Sequence, residues 1–304
     1  MIGKRLAVID LGSNTFHLLI CEINQEGFLI PLYKERIYVK LASGGMEEIL
    51  PDRVERGMMA MQQFAEQIHL HRATHVRCIA TAAMREATNG KEVAQLFSNA
   101  TGLPIEIIDG QQEAYYILKG IQTAIPPLPY PGLIMDIGGG SVEFILYDNK
   151  SVLFKGSYKI GVAVLYRNFH HSDPILKTEV QALEHFVESA LGDLIEVMQS
   201  VKKYVLIGAS GSFEVVHDVM PRKISEEHWA EMDITGLPDY LNEVIQTDMH
   251  SRRQIPEIPI ERLDYIVVAY ALIRFVLRKM PPEKLFYCDY ALKEGVLAEM
   301  MENI

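Results

Sequence analysis

Two stretches of the chain, LAVIDLGSNTFHLLI at 6–20 and LIMDIGGGSVEFIL at 133–146, share one order of apolar and polar positions. In each, an apolar run passes through an aspartate into a short glycine-bearing polar tip and returns as a second apolar run. Such runs, four to eight residues long and bounded by turn residues, predict two strands joined by a tight hairpin. A shift of 126 positions lays Asp10 on Asp136, Gly12 on Gly138 and Thr15 on Ser141. A further strand-like run follows each hairpin, GFLIPLY from Gly27 and SVLFKG from Ser151. The repeat therefore predicts two related domains, each opening on a three-stranded unit.

Helical periodicity fills the spaces between. Val54, Met58, Met61, Ala65 and Ile68 recur at three- and four-residue steps and predict a helix, and Glu92 to Ala100 predicts another after a strand at His75 to Ile79. A long helix is expected from about Thr178 to Ser200, then the strand YVLIG, the turn GASGS, and a helix through Val215 and Val219. Leu263 to Leu277 reads as a buried helix, since Asp264 and Arg274 interrupt it and a membrane span takes about 20 apolar residues. The Pro-dense PPLPYPG at 126–132 marks the boundary, giving domains 1–125 and 126–304, with the last helix able to pack back on the first. The fold class is α/β.

Composition narrows the function. A chain of 304 residues that is 49% hydrophobic can build two cores. The N-terminus lacks the apolar run and small-residue cleavage site of a signal peptide. The three cysteines are far apart and have no C-x-x-C spacing, so a reducing cytoplasm is expected, with neither disulfides nor zinc. No basic run argues for nucleic acid, and no membrane association is expected. The net charge of −11 would slow the approach of a polyanion, so any attraction has to be local, from Lys40, Arg85, Lys159 and Arg167.

Serial glycines let a backbone approach a ligand and turn its N–H groups outward, and phosphate suits such a tip, although a packing hairpin can carry the same residues. Neither tip has the spacing of a Walker A loop or of G-x-G-x-x-G opening a helix. His217-Asp218 has no partner motif, and His69, His71 and His75 cannot share one helix face, so both are expected to be structural. The Met58–Met61 run is expected to pack.

Six segments in order, IDLGSNTFHLLI, ATAAMREATN at 80–89, DGQQEAYYI at 109–117, MDIGGGSVEFIL, IGASGS and CDYALKEGVLAEM at 288–300, resemble those of the Ppx/GppA family of exopolyphosphatases and guanosine pentaphosphate phosphohydrolases. The resemblance implies an actin-like ATPase fold of two ribonuclease H-like domains with an interdomain cleft. It implies Glu113 as general base on a water, with Gln112 standing where the family's E-E-A segment has its first glutamate, and Arg85 as a ligand for phosphate oxygens. Asp109 can cap the helix that starts there and place Glu113 in its first turn. Mg²⁺ would be held by Asp136 and Glu143, with Asp10 next. Gly12, Ser13, Asn14 and Thr15 from one hairpin and Gly138, Gly139, Gly140 and Ser141 from the other would grip phosphates, with Gly208, Ser210 and Gly211 as a third contact at a helix start. On the residues alone, Glu113 could instead serve the helix dipole, Arg85 could pair with Glu86 or Glu92, and Glu143 could face solvent.

The implied substrate is inorganic polyphosphate, or alternatively a guanosine penta- or tetraphosphate. A non-catalytic alarmone sensor is the reading of another class, kept open by Gln112. An ATP-dependent kinase fits less well, given Glu113 at a helix start and the ATAAMREATN segment. Longer family members carry a further HD-like domain, so cleavage here is expected to be distributive. A homodimer joining two clefts into one groove would instead favour retention of the chain.

Overall fold

The computed structural model describes residues 2–303, which divide into two compact units, 2–123 with 292–303, and 124–291. The first begins with β1 (Arg5–Leu11), β2 (Phe16–Ile23) and β3 (Leu29–Ile37), an antiparallel meander. There follow α1 (Pro51–Leu70), β4 (His75–Ala80), α2 (Ala82–Glu86), α3 (Gly90–Thr101), β5 (Ile105–Ile107) and α4 (Gly110–Ala124). β4 pairs parallel to β1 and β5 parallel to β4, giving the order β3-β2-β1-β4-β5.

β1 is buried on both faces, which is why it reads as a continuous apolar run. Ala7, Ile9 and Leu11 join a core with Met61, Phe64 and Ile68 of α1 and Val93 and Phe97 of α3. Gly57 in α1 makes room for the Phe97 ring, whose Cζ would lie 2.5 Å from an added Cβ. The proline at the first position of α1 and Asp52 in its first turn suit a helix start.

The second unit repeats the plan. β6 (Gly132–Ile137), β7 (Val142–Tyr147) and β8 (Val152–Tyr158) form the meander, followed by α5 (Val162–Phe169), α6 (Lys177–Ala190), α7 (Gly192–Met198), β9 (Val205–Ala209) and α8 (Gly211–Val219). Next come β10 (Arg222–Ser225), β11 (Trp229–Met232), α9 (Leu237–Ile245), α10 (Met249–Arg252), α11 (Ile266–Lys279) and β12 (Lys284–Cys288). The sheet runs β10-β11-β12-β9-β6-β7-β8. From β8 to β12 it has the strand order and directions of the first sheet, and β11 and β10 are an antiparallel addition. Both units thus have the ribonuclease H-like strand order, the duplicated unit of actin-like ATPases. After β12 the chain enters α12 (Leu292–Glu302), which belongs to the first unit and packs against β1.

Two expectations change in detail. The single helix of 178–200 is two, broken at Leu191 ahead of Gly192, the residue with the weakest helix preference after proline. The PPLPYPG segment lies at the start of the second unit, where the Asn149 side chain bonds both the N–H and the C=O of Leu128. α11 is buried from Ile266 to Ile273 as expected, but it starts after Leu263 and Asp264. Among the described residues no helix is long and apolar enough to cross a membrane.

Candidate active site

The two hairpins match in register as well as in sequence. Leu11 pairs with Phe16 and Asp10 with His17 in the first, and Ile137 pairs with Val142 and Asp136 with Glu143 in the second. Each tip closes on the same bond, from Gly12 N–H to the Thr15 carbonyl at 3.1 Å and from Gly138 N–H to the Ser141 carbonyl at 2.9 Å. A Cβ on either glycine would lie 2.7 or 2.9 Å from that carbonyl oxygen, so the turn excludes one.

The start of α5 sets the second tip. Val162 N–H reaches the carbonyl of Gly138 at 3.0 Å, Ala163 that of Gly139 at 2.9 Å and Gly161 that of Gly140 at 3.3 Å. In a planar trans peptide the C=O and the following N–H point in opposite directions. Carbonyls drawn toward α5 therefore turn the N–H groups of Gly139, Gly140 and Ser141 to the other side, as a concave row of donors suited to an anion. In the first tip, the N–H groups of Lys40 and Ala42 hold the carbonyls of Asn14 and Ser13 at 2.8 and 3.0 Å, with Lys40 in the left-handed region at φ 56°. That turns the N–H groups of Asn14 and Thr15 in the same sense. Gly161 went unremarked in the sequence because nothing in IGVAV separates a glycine that brackets a loop from one that ends a strand.

Asp136 and Glu143, directly opposed in an antiparallel pair, project from the same face. Glu143 is buried rather than solvent-facing, and its Oε1 accepts bonds from the Ser141 and Ser157 hydroxyls, both at 2.7 Å. Asp10 is opposed by His17, so the first hairpin has no second carboxylate at that place. Among the described residues no three His, Cys, Asp or Glu side chains gather as a metal cluster. Mg²⁺ takes one or two carboxylates and completes its shell with water and phosphate oxygens, and the Asp136–Glu143 pair fits that demand.

The third glycine loop packs closely against its own unit. A Cβ on Gly208 would meet the Phe213 ring at 2.2 Å, and one on Gly211 would meet the Arg262 guanidinium at 1.5 Å. Arg262 is held there by Glu214 at 2.9 Å, and its buried Nε has no hydrogen-bond partner. Ser210 sits at φ 74°, and its hydroxyl both donates to the Ile137 carbonyl at 3.0 Å and accepts from the Ile137 N–H at 3.2 Å. In this geometry Gly208, Ser210 and Gly211 buttress the end of β6, just ahead of the Gly138–Ser141 tip.

In the first unit, Asp109 caps α4, its Oδ1 accepting from Gln112 N–H at 2.8 Å, and Glu113 stands in the first turn as expected. The Gln112 side chain does not complete a capping box; its amide donates to the Tyr116 hydroxyl at 3.1 Å. Arg85 comes from α2, just past the end of β4. Its Nη1 donates to Glu113 Oε2 at 2.9 Å and to the Ile108 carbonyl at 3.0 Å, while its Nε lies 3.6 Å from Glu86. The structure thus brings together the two residues assigned to catalysis, and Glu113 is only 7% exposed.

A second buried pair lies at the start of α12, Lys293 Nζ to Glu294 Oε1 at 2.9 Å. Adjacent helical residues do not normally face each other, so their spacing carries no signal of the pair. Burial, with the charge of Glu294 second, pushes the nearby Cys21 thiol up to about 12, which removes it as a nucleophile. His217 bonds Asp218 at 3.0 Å and stacks on Tyr287. Of the Met58–Met61 run, Ala60 and Met61 are buried in the core and Met58 packs against it, whereas Met59 is exposed, one residue of the run facing away from the core.

Known proteins resemble the chain in sequence and in fold. An exopolyphosphatase from Cytophaga hutchinsonii has a crystal structure that superposes with a TM-score of 0.91 at 30% identity, over 99% of both chains. A Haemophilus influenzae protein named as a candidate exopolyphosphatase is 26% identical over 99% of this chain and 92% of its own length. A guanosine-5'-triphosphate,3'-diphosphate pyrophosphatase of Vibrio vulnificus is also 26% identical over 98% of this chain, which spans 59% of that protein. The family description "Ppx/GppA phosphatase family" matches residues 19–304, a range that takes in Arg85, Glu113 and the whole second hairpin, and the chain belongs to that family.

Proposed function

We propose that the chain hydrolyses the terminal phosphoanhydride of inorganic polyphosphate, releasing phosphate. The observation that carries this reading is Glu113, buried at the head of α4 with its Oε2 held by Arg85 Nη1 at 2.9 Å. Water attacks the terminal phosphorus, the P–O bond to the next phosphate breaks, and the shortened chain leaves as an oxyanion. The water's proton passes to the Glu113 carboxylate. Glu113 also orients the water, which a loose phosphoryl-transfer transition state needs more than it needs a strong base. Arg85 presents further N–H donors to phosphate oxygens, and the Gly138–Ser141 tip supplies backbone N–H groups to the same kind of oxygen. Asp136 and Glu143 would hold Mg²⁺, which when bound neutralises phosphate charge.

Guanosine pentaphosphate is the second reading, favoured by the Vibrio relative, because it offers the same terminal anhydride. Phosphate release measured on polyphosphates of defined length, guanosine pentaphosphate and ATP separates the two. Faster release from polyphosphate supports the proposal; turnover of the guanosine nucleotide alone replaces it; tight binding without release from any of them makes the protein a sensor. A substitution tests the metal residues. Asp136→Asn keeps size and removes charge, and the Mg²⁺ concentration for half-maximal rate is expected to rise about tenfold. An unchanged metal titration removes Asp136 as a ligand.

A further inference from the structure

We infer that the closing helix α12 positions the catalytic carboxylate, through a clamp of Glu299, Tyr116 and Arg77 on α4; the inference rests on Glu113 acting in hydrolysis. Tyr116 is one turn beyond Glu113 on α4, with its side chain buried. Its hydroxyl donates to Glu299 Oε2 at 2.8 Å, and the same oxygen takes Arg77 Nη1 at 2.7 Å. Arg77 Nη2 also bonds the Tyr116 oxygen at 3.1 Å and Glu106 of β5 at 2.6 Å, and the Gln112 amide adds a further donor to Tyr116 at 3.1 Å. Three elements, β4, α4 and α12, therefore meet at one carboxylate oxygen.

Backbone contact makes the arrangement narrow. A Cβ on Gly295 of α12 would lie 1.8 Å from the Tyr116 carbonyl oxygen and 3.0 Å from Gly120 N, so the two helices touch backbone to backbone. Lys119 and Glu302 pair at the far end of the same contact. β4 carries Arg77 near one end and leads directly into α2, which carries Arg85. The β4–α2 arm thus grips α4 twice, at Tyr116 by Arg77 and at Glu113 by Arg85. A helix rises about 1.5 Å per residue, so a slip of α4 by a fraction of a turn at the first grip moves the second out of hydrogen-bond reach. Glu299, on α12, holds the first grip in place, as a positioning residue.

The test uses the full chain and three mild variants. Tyr116→Phe removes the hydroxyl, Glu299→Gln keeps an acceptor but loses the ion pair, and Gly295→Ala forces the helices apart. Each is expected to lower kcat about tenfold with KM within about twofold. In the Glu113→Gln background the same changes are expected to alter the residual rate by less than about twofold, because the route to catalysis is already cut. Equal losses in both backgrounds, or a rise in KM matching the fall in kcat, overturn the inference. If Glu113→Gln itself retains full activity, the hydrolytic role of Glu113 fails, and crystal structures of Tyr116→Phe and Gly295→Ala then decide the positioning. Loss of the Arg85–Glu113 contact supports the clamp, and its survival at 2.9 Å refutes it.

Discussion

Glu113→Gln is expected to lower kcat by on the order of a hundredfold or more while leaving KM within about twofold. The substitution is nearly isosteric. Its amide oxygen can still accept from Arg85, so the pair that fixes the head of α4 survives and the loss reports the carboxylate's charge and acceptor strength. Glu113→Ala would confuse this, since it leaves the Arg85 guanidinium, 18% exposed, without its nearest carboxylate. The glycine tips are untouched, and an effect confined to kcat is the sign of an interaction made in the transition state. Steady-state kinetics on a short polyphosphate, with thermal unfolding as a check on folding, measure it. Activity within a few-fold of the parent removes Glu113 from the chemistry and leaves Arg85–Glu113 as a structural ion pair.

The parts of this site that could be read from the chain are those built from neighbouring residues. The shift of 126 positions predicted two hairpins, and the structure gives them the same register, down to Asp10 and Asp136 occupying equivalent positions. The cap by Asp109 was legible because it spans only three residues. Missed were contacts across long separations. Glu299 meets Arg77 from 222 positions away, and no local pattern marks either residue. Gly295 lies within CDYALKEGVLAEM, yet its reason, the backbone of α4, is on a segment far earlier in the chain. The proline-dense segment marked the boundary by composition, but its backbone tie to Asn149 was not legible, since that residue carries no such signal. GASGS has the look of a phosphate loop, and what its sequence does not show is the packing of Phe213 and Arg262 against the Cβ positions of its glycines.

The second large effect is expected at Gly161. Its backbone, at φ −62° and ψ 161°, suits any residue, so alanine there brings no conformational strain of its own. The obstacle is steric. An added Cβ would stand 2.4 Å from the Gly139 carbonyl oxygen and 2.5 Å from the carbonyl carbons of Gly139 and Gly140, inside the tip that α5 brackets. Relief requires the tip to move away from α5, which lengthens the bonds to Gly138, Gly139 and Gly140 and lets their peptide planes rotate. The N–H donors then lose their common direction. A misplacement of about 1 Å at a reacting centre can cost on the order of a hundredfold in rate, so Gly161→Ala is expected to lower kcat/KM by about that much. Folding stability should fall by only about 1–3 kcal/mol, the usual effect of overpacking, and urea unfolding can measure it separately. Gly192→Ala supplies the control within the same unit. Nothing lies within 4 Å of its added Cβ, it opens α7, and it is expected to leave kinetics unchanged while holding or slightly raising stability. If Gly161→Ala keeps the parent's kcat/KM, α5 does not orient the cradle, and the direction of the Gly139–Ser141 donors must come from the hairpin alone.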